Sequence, residues 1–163
     1  MKNKKHLPMM GVGPIFVMVI IGLTVLGIVL SHLHTIPVIS NSDVTVFLRI
    51  FGMIFVAGGL YLWYAAVFKA KIDVGILHNK LIITGVYAWV RNPIYSAFLI
   101  ACTGGLLICG NLFLLILPFI YWAFMTILMK NTEEKWLRKL YGKEYDEYCK
   151  RVNRCIPWRR KTS

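Results

Sequence analysis

Charged residues vanish from three long stretches of the chain, 7–42, 50–68 and 92–129, and apolar side chains fill them. A helix that crosses the hydrocarbon core of a bilayer needs about 20 mostly apolar residues. The first stretch predicts one span at about 12–33, followed by the turn-rich TIPVISNSD. The second predicts a span at about 46–68. The third is long enough for two short spans, at about 94–109 and 112–129, with Gly110-Asn111 as the place to turn back. After Lys130 the pattern changes to an amphipathic one. Trp136 with Leu140, Leu137 with Tyr141, and Tyr141 with Tyr145 and Tyr148 recur at helical spacing, with Lys and Arg on the other faces. Asn131 or Thr132 is positioned to cap this helix, Glu133 and Glu134 suit its positive end, Gly142 breaks it and Pro157 stops it.

Composition sharpens this reading. The chain has 163 residues, 58% of them hydrophobic, and a formal net charge of +12. The basic residues lie at Lys2, Lys4 and Lys5, between spans two and three, and in the tail from Lys130, which carries eleven Lys and Arg. The loop after span one and the 110–111 turn carry none. Basic loops stay cytoplasmic. The expectation is therefore an all-α integral membrane protein with about four transmembrane helices and a cytoplasmic C-terminal amphipathic helix. The whole of 1–163 forms a single membrane domain, both termini are cytoplasmic, and the first apolar run is an uncleaved anchor. The positive charge faces membrane lipids, with no nucleic acid partner. Arg49 is read as snorkelling to the outer interface. Cys102, Cys109, Cys149 and Cys155 form no C-x-x-C pair, and His32 and His34 have no acidic or Cys partner nearby, so no metal site is expected.

GVYAWVRNPIY, residues 85–95, is the polar interruption with chemical content. Asn92 precedes Pro93 and is biased toward extended backbone. Pro93 suits the first position of a helix, whose open N–H groups and partial positive charge favour an anion. Arg91 adds a full charge. Tyr87, Trp89 and Tyr95 add flat apolar faces. Spans three and four form a hairpin, so their cytoplasmic ends are expected to be neighbours, with Glu133 and Glu134 beside Arg91. An anionic end, a cationic end and aromatic faces suit a zwitterionic aromatic ligand. S-adenosylmethionine has these features, but the residues alone do not choose it over a nucleotide.

LIITGVYAWVRNPIY, followed by NTEEKWLRKLYGKEYDEYCKRVNRCIP, resembles the isoprenylcysteine carboxyl methyltransferase and phospholipid methyltransferase family. The family pattern falls on Gly85 and Tyr87, Arg91-Asn92-Pro93 with Tyr95, Glu133-Glu134, Tyr141-Gly142 with Tyr145 and Tyr148, and Arg154 with Pro157. The short plan resembles prokaryotic members. The resemblance implies an integral membrane enzyme that uses S-adenosylmethionine, with cofactor-binding elements at 79–95 and 130–158. Leu81, Ile82, Tyr87, Asn92, Pro93, Tyr95 and Glu133 would line the cofactor pocket. Glu134 completes the acidic pair, and Arg91 would brace the turn or meet the cofactor carboxylate. The expected reaction is methyl transfer to a lipid-like or hydrophobic acceptor. No residue is assigned as catalytic. Asn92 stands where eukaryotic carboxyl methyltransferases have histidine. Met129 stands where they have an arginine for the substrate carboxylate. Two alternatives are a small non-enzymatic membrane subunit with a basic docking tail and an NADPH-dependent reductase of related fold.

Overall fold

The computed structural model describes residues 12–37, 42–69 and 81–157. Lys2, Lys4, Lys5, Lys71, Lys80 and the middle of the turn after span one (38–41), together with the start of the 79–95 element and the last six residues, lie outside the described residues. The protein is an all-α membrane protein. Its helices are α1 (Gly13–His32), α2 (Ser42–Tyr64), α3 (Pro93–Cys109), α4 (Leu117–Asn131), α5 (Glu133–Tyr141) and α6 (Lys143–Arg151). A π-turn, Ala65–Lys69, extends α2, and 3₁₀ turns at Gly85–Ala88 and Leu112–Ile116 lead toward α3 and α4. Among the described residues, three stretches are long and apolar enough to cross a membrane: Gly13–His32, Asp43–Lys69 and Leu112–Tyr141. The apolar part of the third ends at Met129, where the charged residues begin. Pro93–Cys109 is apolar but shorter, and its 17 residues reach about 25 Å at 1.5 Å each.

Helix α3 is the centre of the bundle and touches α1, α2 and α4. Against α2 it packs backbone to backbone. A Cβ on Gly104 would lie 2.6 Å from the Gly52 carbonyl oxygen, and one on Gly59 would lie 2.7 Å from the Ala97 carbonyl oxygen. Apolar side chains gain little by leaving lipid for one another, so close approach of small residues is how membrane helices gain packing energy. On the other side of α3, Phe16 and Ile20 of α1 meet Cys102, Leu106, Tyr121, Met125 and Met129 in the main core. Polar side chains inside it are satisfied. Thr24 Oγ1 donates to the Ile20 carbonyl and shares a 2.9 Å hydrogen bond with the Tyr121 hydroxyl, and Asn111 Nδ2 donates to Ser31 Oγ at 2.9 Å.

The turn signals worked through identifiable chemistry. Gly110 ends α3 in the left-handed region (φ 76°), and Gly142 separates α5 from α6 (φ 56°). Asn111 caps the 3₁₀ turn by accepting from the Phe113 N–H. Helix α4 starts at Leu117 rather than at 112 because Pro118 lacks an N–H and fits only a first turn. The expected cap at Thr132 is corrected. Its Oγ1 donates back to the Leu128 carbonyl at 2.6 Å and does not cap α5, because α5 follows α4 after this single residue. Trp136 is exposed, whereas Leu137 and Tyr141 pack against Tyr145, Tyr148 and Val152.

Candidate active site

The first turn of α3 is held by the C-terminal strap that follows α6. Asn92 leaves helical geometry (φ −122°, ψ 63°) and Pro93 begins the helix. The N–H groups of Arg91 and Asn92 donate to the carbonyls of Asn153 and Arg154 at 2.8 and 3.2 Å. Asn92 Nδ2 also donates to the Arg154 carbonyl at 3.0 Å, and Ser96 Oγ donates to the Cys155 carbonyl. Val90 pairs with Asn153 in a single parallel bridge. The strap carbonyls thus take the N–H groups just ahead of the helix.

The two glutamates at the head of α5 have opposite surroundings. Glu134 is 1% exposed. Its carboxylate accepts from Arg154 Nε and, at 3.1 Å, from Arg154 Nη2, and lies 3.3 Å from Arg91 Nη1. Burial alone would raise its pKa. The Arg154 hydrogen bonds and the charges of Arg91 and Arg154 outweigh that and hold it below the ordinary carboxylate range. Arg91 is itself buried. It also donates to Cys149 Sγ, and its Nε has no partner. Glu133 is half-buried and forms no ion pair among the described residues. Its Oε1 accepts from the Tyr95 hydroxyl at 2.6 Å. Burial raises its pKa, and the Tyr95 hydrogen bond offsets that only in part.

The aromatic and apolar residues divide as well. Tyr87 is buried, and its pKa is pushed well up by burial and then by the nearby Tyr148 and Glu133. The Tyr148 hydroxyl donates to the Tyr87 carbonyl at 2.6 Å. Leu81 and Ile83 pack on the Tyr145–Tyr148–Val152 cluster, and Ile82 is half-buried between them. Trp89 is exposed and offers no face to the site. The structure therefore brings Tyr87, Arg91, Asn92, Pro93, Tyr95, Glu133 and Glu134 to one end of the α3–α4 hairpin, with Leu81 and Ile82 beside them.

Sequence reasoning gave no role to Ser96 or Cys149 and placed Arg154 only within a family pattern. Ser96 carried a legible signal as a small polar residue one turn after Asn92. Cys149 carried none.

A family model described as phospholipid methyltransferase matches residues 47–144. The chain belongs to the phospholipid methyltransferase family. It is 36% identical over 81 residues to the probable protein-S-isoprenylcysteine O-methyltransferase of Oryza sativa subsp. indica, covering 49% of this chain and 42% of that protein. It is 38% identical over 76 residues to methanethiol S-methyltransferase 1 of Bradyrhizobium diazoefficiens, covering 46% and 25%. It is 36% identical over 84 residues to the Delta(14)-sterol reductase TM7SF2 of Mus musculus, covering 49% and 20%. The chain thus spans less than half the length of these curated relatives. No solved structure matches it.

Proposed function

We propose that this chain is an S-adenosylmethionine-dependent methyltransferase acting on a lipid-like or hydrophobic acceptor at the cytoplasmic membrane edge. In this reading residues 1–163 work as one multi-pass membrane domain with both termini cytoplasmic. The observation that carries the proposal is the inequality of the two glutamates. Glu134 is neutralised by two arginines, whereas Glu133 is oriented by a tyrosine and has no cation of its own among the described residues. A half-buried carboxylate without a counter-ion, next to phenol rings, suits a ligand with a cationic end. S-adenosylmethionine fits that test through its ammonium and sulfonium.

When bound, S-adenosylmethionine supplies a methyl group already activated for in-line displacement. The chain's part is positioning and exclusion of water. Glu133 holds the cationic end, and the Tyr95 hydroxyl fixes the direction of that carboxylate. Tyr87 and Tyr95 provide flat faces, and Leu81 and Ile82 an apolar edge. Arg91, Glu134 and Arg154 lock the turn at Asn92-Pro93 to the head of α5 and to the strap. Of the two roles that the sequence left open for Arg91, bracing is the one its geometry favours, since its guanidinium is committed to Glu134 and Cys149.

The mouse relative's name, a sterol reductase, favours the alternative raised by the sequence, a reductase of related fold using NADPH. A phosphate-bearing nicotinamide would bring negative charge to a carboxylate with no counter-ion, which disfavours it here. Calorimetry with S-adenosylmethionine and with NADPH separates the two. Glu133→Gln is expected to weaken S-adenosylmethionine roughly tenfold to a hundredfold, the worth of one charge-assisted contact of about 1.5–3 kcal/mol. An unchanged dissociation constant overturns the assignment. Incubation with radiolabelled methyl donor and a total membrane-lipid extract then identifies the acceptor.

A further inference from the structure

The Tyr95–Glu133 pair is covered on one side by a part of the chain outside the matched family segment, the start of α1. Gly13 lies directly against the Tyr95 hydroxyl. A Cβ at Gly13 would stand 2.6 Å from Tyr95 Cε1 and 2.8 Å from Cζ, so only glycine lets the ring stay where its hydroxyl reaches Glu133. One turn on, Phe16 is fully buried. Its ring meets Tyr95 edge-on at 5.9 Å and 79°, and leans on Phe124 of α4 at 5.7 Å. On the outer face of the same turns, Ile15 and Met18 are 59% and 74% exposed, in the manner of lipid-facing side chains. The order across α1 is therefore lipid-facing aliphatics, then Phe16, then Tyr95 and Glu133.

We infer that α1 is the bilayer-side wall of the site, and that Phe16, backed by Gly13, is the residue past which a hydrophobic acceptor reaches the Tyr95–Glu133 pair and whose bulk sets the size admitted. The inference rests on the reading of Tyr95 and Glu133 as the site. Two observations carry it independently of any cofactor. Phe16 is the α1 side chain whose ring meets Tyr95, while Ile15 and Met18 on the same helix turns are exposed. Relatives named for acceptors as different in size as isoprenylcysteine and methanethiol each match a little under half of this chain at 36% and 38% identity, so acceptor size is set by residues that differ within the match or lie outside it. Phe16 lies outside residues 47–144, whereas Tyr95 and Phe124, which its ring meets, and Glu133, to which Tyr95 donates, lie inside.

The test uses two carbodiimides on the full chain in detergent micelles, so it needs neither activity nor a known acceptor. Dicyclohexylcarbodiimide partitions into the apolar phase, and a water-soluble carbodiimide approaches from the aqueous side. The carboxyl proton passes to one carbodiimide nitrogen, the carboxyl oxygen bonds to the central carbon, and acyl shift to nitrogen leaves an N-acylurea with no leaving group. Burial, which raises the Glu133 pKa, keeps the protonated form available for this reaction.

Modification of Glu133 is read by peptide mass spectrometry in the parent, Phe16→Ala and Phe16→Leu. The expected result is a several-fold faster reaction with the apolar reagent in Phe16→Ala, a smaller rise in Phe16→Leu, and an unchanged rate with the aqueous reagent. Equal apolar rates in all three proteins overturn the wall. So does a parallel rise with both reagents, because that is general loosening. Phe16→Leu keeps the test open if Phe16→Ala does not fold. A separate arm adds S-adenosylmethionine to the parent. Failure to slow the aqueous reagent counts against the donor site while leaving the wall to stand or fall on the first comparison.

Discussion

The same substitution at two adjacent positions is expected to have different consequences. Glu134→Gln keeps the shape of the side chain and removes its charge. In the parent, that charge faces Arg91, whose side chain is 8% exposed, and Arg154, which is 26% exposed. Removing one partner of a buried ion pair costs about 3–5 kcal/mol, because the remaining charge is left uncompensated. Arg154 can turn partly to water, and glutamine keeps one acceptor oxygen, so the lower end applies, about 3 kcal/mol or two powers of ten in the folding constant. Arg91 cannot be relieved in this way, since its side chain is only 8% exposed and its Nε lacks a partner among the described residues. Glu133→Gln removes a charge that has no counter-ion among the described residues and that burial opposes. The Tyr95 hydroxyl keeps an amide oxygen to donate to, so the change in stability is expected to lie within about 1 kcal/mol of zero.

Reversible unfolding in mixed detergent measures both, and pH supplies a second check on the sign. Glu134 has its folded pKa lowered, so its contribution is present above the ordinary carboxylate value of about 4.3 and is lost as pH falls through the lower folded value. The gap between the parent and Glu134→Gln therefore closes in acid. Glu133 has its folded pKa raised, so the parent loses stability as pH rises from about 4.3 through that raised value, and Glu133→Gln does not. A Glu134→Gln cost below about 1 kcal/mol, or a Glu133→Gln cost as large, would refute the division of roles, since a buried charge left unpaired cannot be that cheap.

Gly104→Ala is expected to cost about 1–3 kcal/mol in the same unfolding assay, because its Cβ would meet the Gly52 backbone at 2.6 Å. Gly22→Ala, with open space around it, is expected to be neutral or to stabilise α1 by up to about 1 kcal/mol. Tyr148→Phe leaves the Tyr87 carbonyl without its 2.6 Å donor, at about 1–3 kcal/mol, and lowers donor affinity through Tyr87 in calorimetry. Donor binding selects the ionised form of Glu133, so affinity is expected to fall as pH drops below its raised pKa, with proton release on binding read from calorimetry in two buffers; Glu133→Gln should abolish both.

Much of the bundle was legible because its signals are local. Uncharged runs set the helices, Pro93 started α3 at the expected residue, and Gly110 and Gly142 turned the chain where left-handed backbone was needed. The neighbourhood of Arg91 with Glu134 followed from a hairpin whose two ends carry opposite charge. Other features depended on direction rather than on spacing along the chain. Gly52, Gly59, Ala97 and Gly104 read individually as ordinary small residues, and only the crossing of α2 on α3 turns them into a seam. Arg154 lies twenty residues beyond Glu134 and reaches it because α6 and the strap fold back on α3. Thr132 looked like a cap because a helix start was expected there, but its hydroxyl found the carbonyl of the preceding helix first.

The contrast between Glu133 and Glu134 also follows from geometry. Neighbouring residues on a helix point about 100° apart, so an acidic doublet at the head of α5 cannot aim both carboxylates at one partner. One enters the arginine cluster and the other faces Tyr95 and α1. This makes Glu134 more than a brace. Two guanidiniums lie at this end of the hairpin, and both pair with Glu134. With both held by Glu134, Glu133 has no ion pair among the described residues, and the proposed function gives that place to the donor. On the proposed function, Glu134→Gln should weaken donor binding even in the fraction of molecules that stay folded, through a freed Arg154 competing for Glu133. Pairing that substitution with Arg154→Gln should recover part of the affinity by removing that competitor. Recovery of stability without recovery of affinity would mean that Glu134 only braces the site.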